Sequence, residues 1–455
     1  MQFRSGAGSA LLDVVLIACV AMAGNALVAT TWWFQDDWHF LANALGIAPR
    51  DAGLARIVSY EVYWRAFIGL FGTSSVGWAV TRLAIHFANA LLVRSLVTKL
   101  TGRPATGLLV GLLFAASPSA FECLYWASGV VDLLGVLFAL VAALLWWRRE
   151  RRIGPEVIAA AIIAILCKET ALAVIALMAA YVARSGRATR RDVVALCAIL
   201  AATAVALSAL QRDMAGSGDY ELAFASIPRN LAVYGYWLIV PGPLMKSVAI
   251  HSSAAIVVGS AFWALWATVG VLLHRRGNPW PLSAGGVALL VLLPALLVGD
   301  HAVPRYVYAA APAFLLAVVS SCGALSEATV PTRIAAAMIA AVFAWTTTAY
   351  HVDARSPSGK PMHRYVAKRE IASMALRTIN RQMPPGARNL ALIVTPRAIK
   401  DEVSLLQDAI ADDLAVRVIF GNDFEIHWVS NVEDADPNAV VFLVEGMVLR
   451  AMDGR

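Results

Sequence analysis

Apolar runs recur along the first 349 residues at lengths suited to crossing a bilayer, for which about 20 helical residues at 1.5 Å each suffice. They cover residues 9–31, 75–97, 105–121, 128–147, 155–167, 169–183, 192–210, 252–273, 282–299, 305–323 and 331–349. The pattern predicts an α-helical polytopic membrane protein with about 11 transmembrane helices. One further apolar stretch, 231–247, is interrupted by Pro241-Gly242-Pro243. Two prolines free backbone groups that only protein or a wet cavity can satisfy, so this stretch is read as dipping in and returning. Between the first two spans lies a polar loop, 32–74, too long for a plain connector. Its aromatic-rich part, Tyr60–Phe67, predicts an interfacial helix.

Past residue 350 the pattern changes. A basic segment with Arg355, Lys360, Arg364, Lys368 and Arg369 precedes short alternating runs. Strands are expected at 389–395, 415–420, 425–429 and 439–444, with an amphipathic helix over 398–414. The division is therefore 1–349, a transmembrane domain, and 350–455, a basic linker helix plus a small soluble α/β domain without a glycine-rich phosphate loop.

Charge orients the spans. Arg94, Lys99 and Arg103 follow the second, Arg148, Arg149, Arg151 and Arg152 the fourth, and Arg184, Arg187, Arg190 and Arg191 the sixth. These alternate loops share one side, which the positive-inside rule makes cytoplasmic. The loop after the first span and the 117–127 turn then face outward. If 231–247 does not cross, Arg305 and the C-terminal domain face outward too. The basic segment after residue 350 opposes that placement, but long terminal domains cross regardless of charge, and a basic helix can lie on anionic headgroups.

Composition narrows the class. The 455 residues are 60% hydrophobic and 15% charged, and the mean hydropathy of +0.68 lies outside the soluble range. The net charge of +7 is topogenic, so membrane lipids are expected partners and nucleic acid is not. Cys19, Cys123, Cys167, Cys197 and Cys322 lie in or beside apolar segments, which leaves no disulfide framework or zinc spacing. The N-terminal segment shows no small-residue cleavage site and is read as a retained helix.

The candidate chemistry begins at Gln35-Asp36-Asp37-Trp38-His39, just past the first span. Adjacent carboxylates at the interface form either a solvated helix cap or a general base held at the membrane surface. The second span carries Arg82, His86 and Asn89 on one helical face, which must point into the bundle as a ligand site or a satisfied polar seam. In the third-to-fourth turn, Glu122, Trp126, Gly129 and Asp132 fall within about 120° of one helical face at about 100° per residue. Lys168-Glu169 is a charged pair between apolar segments, either functional or a structural ion pair. Finally, Asp300–Tyr308 brings Arg305 and Tyr306 into the tenth span; Arg suits bidentate phosphate contact and Tyr the interface.

Taken together these motifs resemble the GT-C superfamily, integral membrane glycosyltransferases that use polyprenyl-phosphate sugars. The nearest likeness is to bacterial relatives of the transmembrane and tetratricopeptide-containing O-mannosyltransferases. Asp36-Asp37, the run Pro118–Leu134 with Glu122, Trp126, Gly129 and Asp132, and Lys168-Glu169 carry the resemblance over residues 9–185. Arg65, the His86/Asn89 pair and Arg305-Tyr306 match more loosely. Ser117 stands where that family usually has His, and no tetratricopeptide repeats follow.

The resemblance implies an inverting transfer of a sugar from a polyprenyl-phosphate donor to a hydroxyl of a protein, lipid or polysaccharide. It implies Asp36 as base with Asp37 beside it. Arg305, Lys168, Arg65 and Tyr306 would hold the donor phosphate, and Glu122, Trp126, Asp132, His86 and Glu169 the acceptor or sugar. A divalent cation is left open, with Asp37 and Glu122 its candidate ligands. The site would lie on the periplasmic face of a bacterial inner membrane. The competing classes are a lipid-linked-sugar flippase, for which no inverted repeat is visible, and a non-catalytic component of envelope glycan assembly.

Overall fold

A computed structural model describes residues 7–48, 56–149, 152–168, 171, 194, 223–240, 252–297, 299, 302–321, 329–357, 359–394, 400–445 and 448–452. The expected spans 169–183 and 192–210, together with Glu169 and Pro241-Gly242-Pro243, lie outside or almost wholly outside these residues.

Among the described residues five helices are long and apolar enough to cross a membrane: Ser9–Thr30, Ser75–Thr101, Ala127–Arg148, Ser253–Arg275 and Val330–Asp353. The first begins as α1 (Ala7–Ala18) and continues through a π turn and a 3-10 turn to Thr30. Next come α2 (Asp36–Ala44), α3 (Tyr63–Phe71), α4 (Ser75–Thr101), α5 (Pro104–Ala115), α6 (Ala120–Tyr125), α7 (Val130–Arg148) and α8 (Pro155–Cys167). After them are α9 (Ile227–Ile239), α10 (Ser253–Arg275), α11 (Trp280–Leu296), α12 (Val307–Ser321) and α13 (Val330–Asp353). The span expected over 105–121 stops at Ala115, and the chain turns at Ser117-Pro118 before α6. A proline there lacks the N–H that would continue the helix.

Buried charge ties the bundle at the end away from the acid pair. Asp13 accepts from Arg94 Nε at 3.1 Å and from Arg333 Nη1 at 3.2 Å, joining α1, α4 and α13. Asn278 Nδ2 donates to the Ser320 carbonyl at 2.9 Å, so α10 ends where α12 ends. At the opposite end Asn230, near the start of α9, donates to the Leu296 and Gly299 carbonyls, both at 3.2 Å. Both α9 and α10 therefore begin at the end that carries the acid pair, and so does α12.

The loop between the first two long helices folds into an aromatic mass. It contains a π turn, Val58–Val62, and α3, where an interfacial helix was expected. Trp64 stacks on Trp78 with ring centroids 4.6 Å apart, and Phe40 on Tyr60 at 4.3 Å. Rings that bury this much surface fix the loop against α4 without needing many backbone bonds.

The C-terminal part has α14 (Arg364–Gln382), β1 (Asn389–Val394), α15 (Lys400–Ile410), α16 (Leu414–Phe420), β2 (Glu425–Val429), β3 (Val440–Glu445) and β4 (Val448–Ala451). The sheet order is β2-β1-β3-β4, with β1 parallel to β2 and β3, and β4 antiparallel to β3. The strand expected at 415–420 is instead helix α16, and β4 was not anticipated. A seven-residue apolar run does not distinguish a buried strand from a buried helix turn by periodicity. Here Arg417, on α16, donates to the Ile47 carbonyl at 3.2 Å, which seats the helix against the chain just beyond α2. One continuous hydrophobic core includes Trp33, Phe34 and Trp38 beside the acid pair and Ala372, Leu376, Leu406 and Ile410 of the C-terminal part. The small domain thus packs directly on the acid-pair turn.

Candidate functional site

The two adjacent acids have opposite surroundings. Asp37 is fully buried, and its Oδ1 accepts from both the backbone N–H of Ser128 at 2.8 Å and the Ser128 hydroxyl at 2.6 Å. Its Oδ2 accepts from Phe34 N–H at 3.3 Å. Burial pushes the carboxyl up to about 7 against these bonds and the nearby Arg82 charge. Asp37 is therefore a strut between the turn before α2 and the start of α7.

Asp36 opens α2, half-buried, and has no hydrogen bond or ion pair among the described residues. Protein encloses it on most sides although a path to solvent remains. That enclosure raises its carboxyl; His39, Arg305 and Lys368 oppose the shift and Asp408 adds to it. A carboxylate held in reach of solvent, unpaired and less acidic than usual, is suited to taking a proton.

Beside it lies a compact charged cluster. Asp132, in the first turn of α7, pairs with Lys168 and lies 3.9 Å from Arg305 Nε. Glu122 Oε2 accepts the backbone N–H of Arg305 at 3.3 Å. The Arg305 guanidinium sits 4.7 Å from the centre of the Trp126 ring and 5.5 Å from that of Tyr306. Its Nη1 donates to the Tyr365 hydroxyl at 2.7 Å, and Arg364 donates to the same hydroxyl at 3.0 Å. Lys168 Nζ lies 4.7 Å from the Tyr306 ring centre. Arg305 Nη2 has no bond among the described residues, so one edge of its fork stays available.

Glu122, Trp126 and Asp132 reach this cluster without the continuous helix expected of them. α6 ends at Tyr125, Trp126 is extended, and a 3-10 turn at Ala127–Gly129 precedes α7. Gly129 makes the fold-back possible, because a Cβ there would stand 2.8 Å from the Cys123 Cα and carbonyl oxygen. Two acids on separate helices then converge on the same arginine.

Other expected site residues lie elsewhere. Arg65 is exposed on α3 and pairs with Glu61 at 3.0 Å, apart from the cluster. His86 is enclosed, with Tyr308 OH at 2.9 Å from Nδ1 and the Ala115 carbonyl at 3.1 Å from Nε2. Asn89 donates to the Leu133 carbonyl at 2.9 Å and to Tyr308 at 3.1 Å. The His86/Asn89 face is thus a buried polar seam between α4, α5, α7 and α12, in which Asn89 Oδ1 has no hydrogen bond among the described residues. Buried Arg82, on the same face, donates Nε to the Leu124 carbonyl at 2.7 Å, while its Nη1 and Nη2 have no hydrogen bond among the described residues. Among the described residues no group of three or more His, Cys, Asp and Glu side chains is placed to hold a metal ion.

Sequence reasoning gives no site role to Tyr365, Arg364, Lys368 and Asp408, nor to the Gln35 that opens the candidate stretch, all of which surround the acid pair or Arg305. Arg364 and Lys368 read as linker charge, and nothing local in the chain marks Tyr365 or Asp408.

An apolar cavity of about 510 Å³ runs between α4, α7, α11 and α12. Gly135 lines it and touches Lys168, since a Cβ on Gly135 would come within 3.0 Å of the Lys168 Cβ. From there it extends along Val136, Leu140 and Ala313 to Trp146 and Trp280. The cavity therefore passes next to the backbone of Lys168, while none of the charged side chains of the cluster lines it. Comparison with family models, curated proteins and solved structures finds no match for the chain.

Proposed function

We propose that the protein is an inverting glycosyltransferase that moves a sugar from a polyprenyl-phosphate donor to a hydroxyl acceptor, with Asp36 as general base. The reading includes the eleven-span arrangement and a site on the extracytoplasmic face of a bacterial inner membrane. The observation that carries it is the half-buried carboxylate of Asp36, unpaired among the described residues, beside the Arg305 and Lys168 cluster, with an apolar cavity next to Lys168 at Gly135. A lipid phosphate has this shape: an anion for Arg305 and Lys168, and a hydrocarbon tail for the cavity.

In the reaction Asp36 takes the acceptor O–H proton while the oxygen attacks the anomeric carbon from the face opposite the phosphate. The bond between that carbon and the phosphate oxygen breaks, and its electron pair leaves with the polyprenyl phosphate. The free edge of Arg305 meets the charge that develops there. Because the donor already has a good leaving group, general-base help and charge stabilisation are what the site must supply.

The test uses full-length protein in vesicles with a radiolabelled polyprenyl-phosphate sugar and a mixture of envelope acceptors. Label appearing on an acceptor with free polyprenyl phosphate supports transfer. Label crossing the vesicle without chemical change identifies a flippase and overturns the proposal, as does binding without either event.

A further inference from the structure

The turn that carries Asp36 does not hold its own shape. Gln35 has φ 55° and ψ −129°, a region that glycine tolerates and that a residue with a Cβ keeps only when its surroundings impose it. The bonds that impose it come from the C-terminal domain. Gln35 N–H donates to the Ala409 carbonyl at 3.1 Å, and the indole Nε1–H of Trp38 donates to the same oxygen at 3.1 Å. That carbonyl is among the last of α15, which lack partners within their own helix, so the acid turn serves as the cap of α15. Lys368, from α14, donates to Gln35 Oε1 at 2.8 Å and pairs with Asp408 of α15.

The charged groups facing Asp36 are His39 on its own helix, Arg305 ahead of α12, Lys368 on α14 and Asp408 on α15. Two of these therefore reach it from the C-terminal domain. We infer that Lys368 is a positioning residue for Asp36, holding Gln35 in its strained backbone and neutralising Asp408, so that the C-terminal domain completes the site. This rests on the reading of Asp36 as base.

Lys368→Met keeps the aliphatic stem and removes the donor and the charge. Hydrogen exchange of full-length protein in lipid reads the contact without any assay of transfer. The peptide 33–41 is expected to exchange about tenfold faster in Lys368→Met, with the strands at 389–394 and 440–445 unchanged. Transfer should lose about tenfold in kcat with donor KM held within about twofold, and the acid limb of the rate profile should move to higher pH as Asp408 is left uncompensated. Adding Asp408→Asn should bring the limb back, and adding Gln35→Gly should restore turnover, because glycine adopts the backbone unaided.

Unchanged exchange at 33–41 overturns the inference. So does faster exchange across the whole sheet, which would make Lys368 a general stabiliser of the domain. If wild-type protein transfers nothing while exchange behaves as expected, the contact stands and the assignment of Asp36 as base falls.

Discussion

Ser128 donates two hydrogen bonds to one carboxylate oxygen of Asp37, from its backbone at 2.8 Å and its hydroxyl at 2.6 Å. That single relationship separates the roles of two neighbours alike in chemistry. Asp37 spends its oxygens joining α7 to the turn before α2, and Asp36 is left free to face the Arg305 cluster.

Removing the free carboxylate should therefore abolish turnover while leaving the fold intact. Asp36→Asn is expected to lower transfer by about 10²- to 10⁴-fold, the usual loss for a general base, with a thermal midpoint at neutral pH no lower than that of wild type. In wild-type protein the acid limb of kcat/KM should lie above the range of an ordinary carboxylate, because enclosure raises Asp36 from 3.8. A limb at or below pH 4, or near-normal activity of the Asn variant, would remove Asp36 from the chemistry.

Asp37 should behave in the opposite way, affecting stability with a defined pH dependence. Its folded value of about 7 lies above the ordinary carboxylate value of 3.8. A raised acid contributes stability that is full below the unfolded value and lost as pH climbs through the folded one. The window is thus pH 3.8 to about 7. The thermal midpoint of wild type relative to Asp37→Asn should fall as pH rises across it, and a flat difference would contradict the assigned shift. Ser128→Ala, which removes the hydroxyl bond but keeps the backbone one, should destabilise by about 1–3 kcal/mol.

Arg305 is arranged as a planar group, stacked on Trp126 and forked between Asp132 and Tyr365. Arg305→Lys keeps the charge and loses that plane, so donor affinity is expected to drop about tenfold or more despite the conservative change. Titration of purified protein with polyprenyl-phosphate sugar measures it. Unchanged affinity in both the Lys and Ala variants would leave Arg305 only a structural part.

The proposed extracytoplasmic placement predicts opposite labelling at the two ends of the bundle. Lys360, near the C-terminal domain, belongs to the acid-pair end, and Arg276 to the far end. In a variant without native cysteines, Lys360→Cys should react with an impermeant maleimide added outside intact cells. Arg276→Cys should react only after the membrane is opened. Reversed labelling would put the site in the cytoplasm and rule out an extracytoplasmic transfer.

Much of this protein was legible from local patterns. Apolar runs near 20 residues mark the long helices because a bilayer punishes any unpaired backbone, and 9–31, 75–97, 128–147, 252–273 and 331–349 all fall on helices of that length. Strands β1, β2 and β3 appeared where β-branched and aromatic residues cluster. Arg305, Lys168, Glu122, Trp126 and Asp132 could be singled out individually, since charge in an apolar setting is costly and seldom idle. Their assembly into one cluster was not legible. It depends on a helix break at Tyr125–Gly129 that brings together side chains from three distant stretches.

What tertiary structure alone decided is which of two equal acids is free, and what holds it there. Adjacent aspartates differ only in what folds over them, and the partners come from Ser128, Lys368 and the Ala409 carbonyl, far along the chain. Likewise, 414–420 became helix because its place is against α2 and the chain beyond it, where packing overrides strand propensity. Hydropathy acts along the chain and can be read from it. Desolvation and pairing act through space, and they exist only once the C-terminal domain is seated on the acid turn.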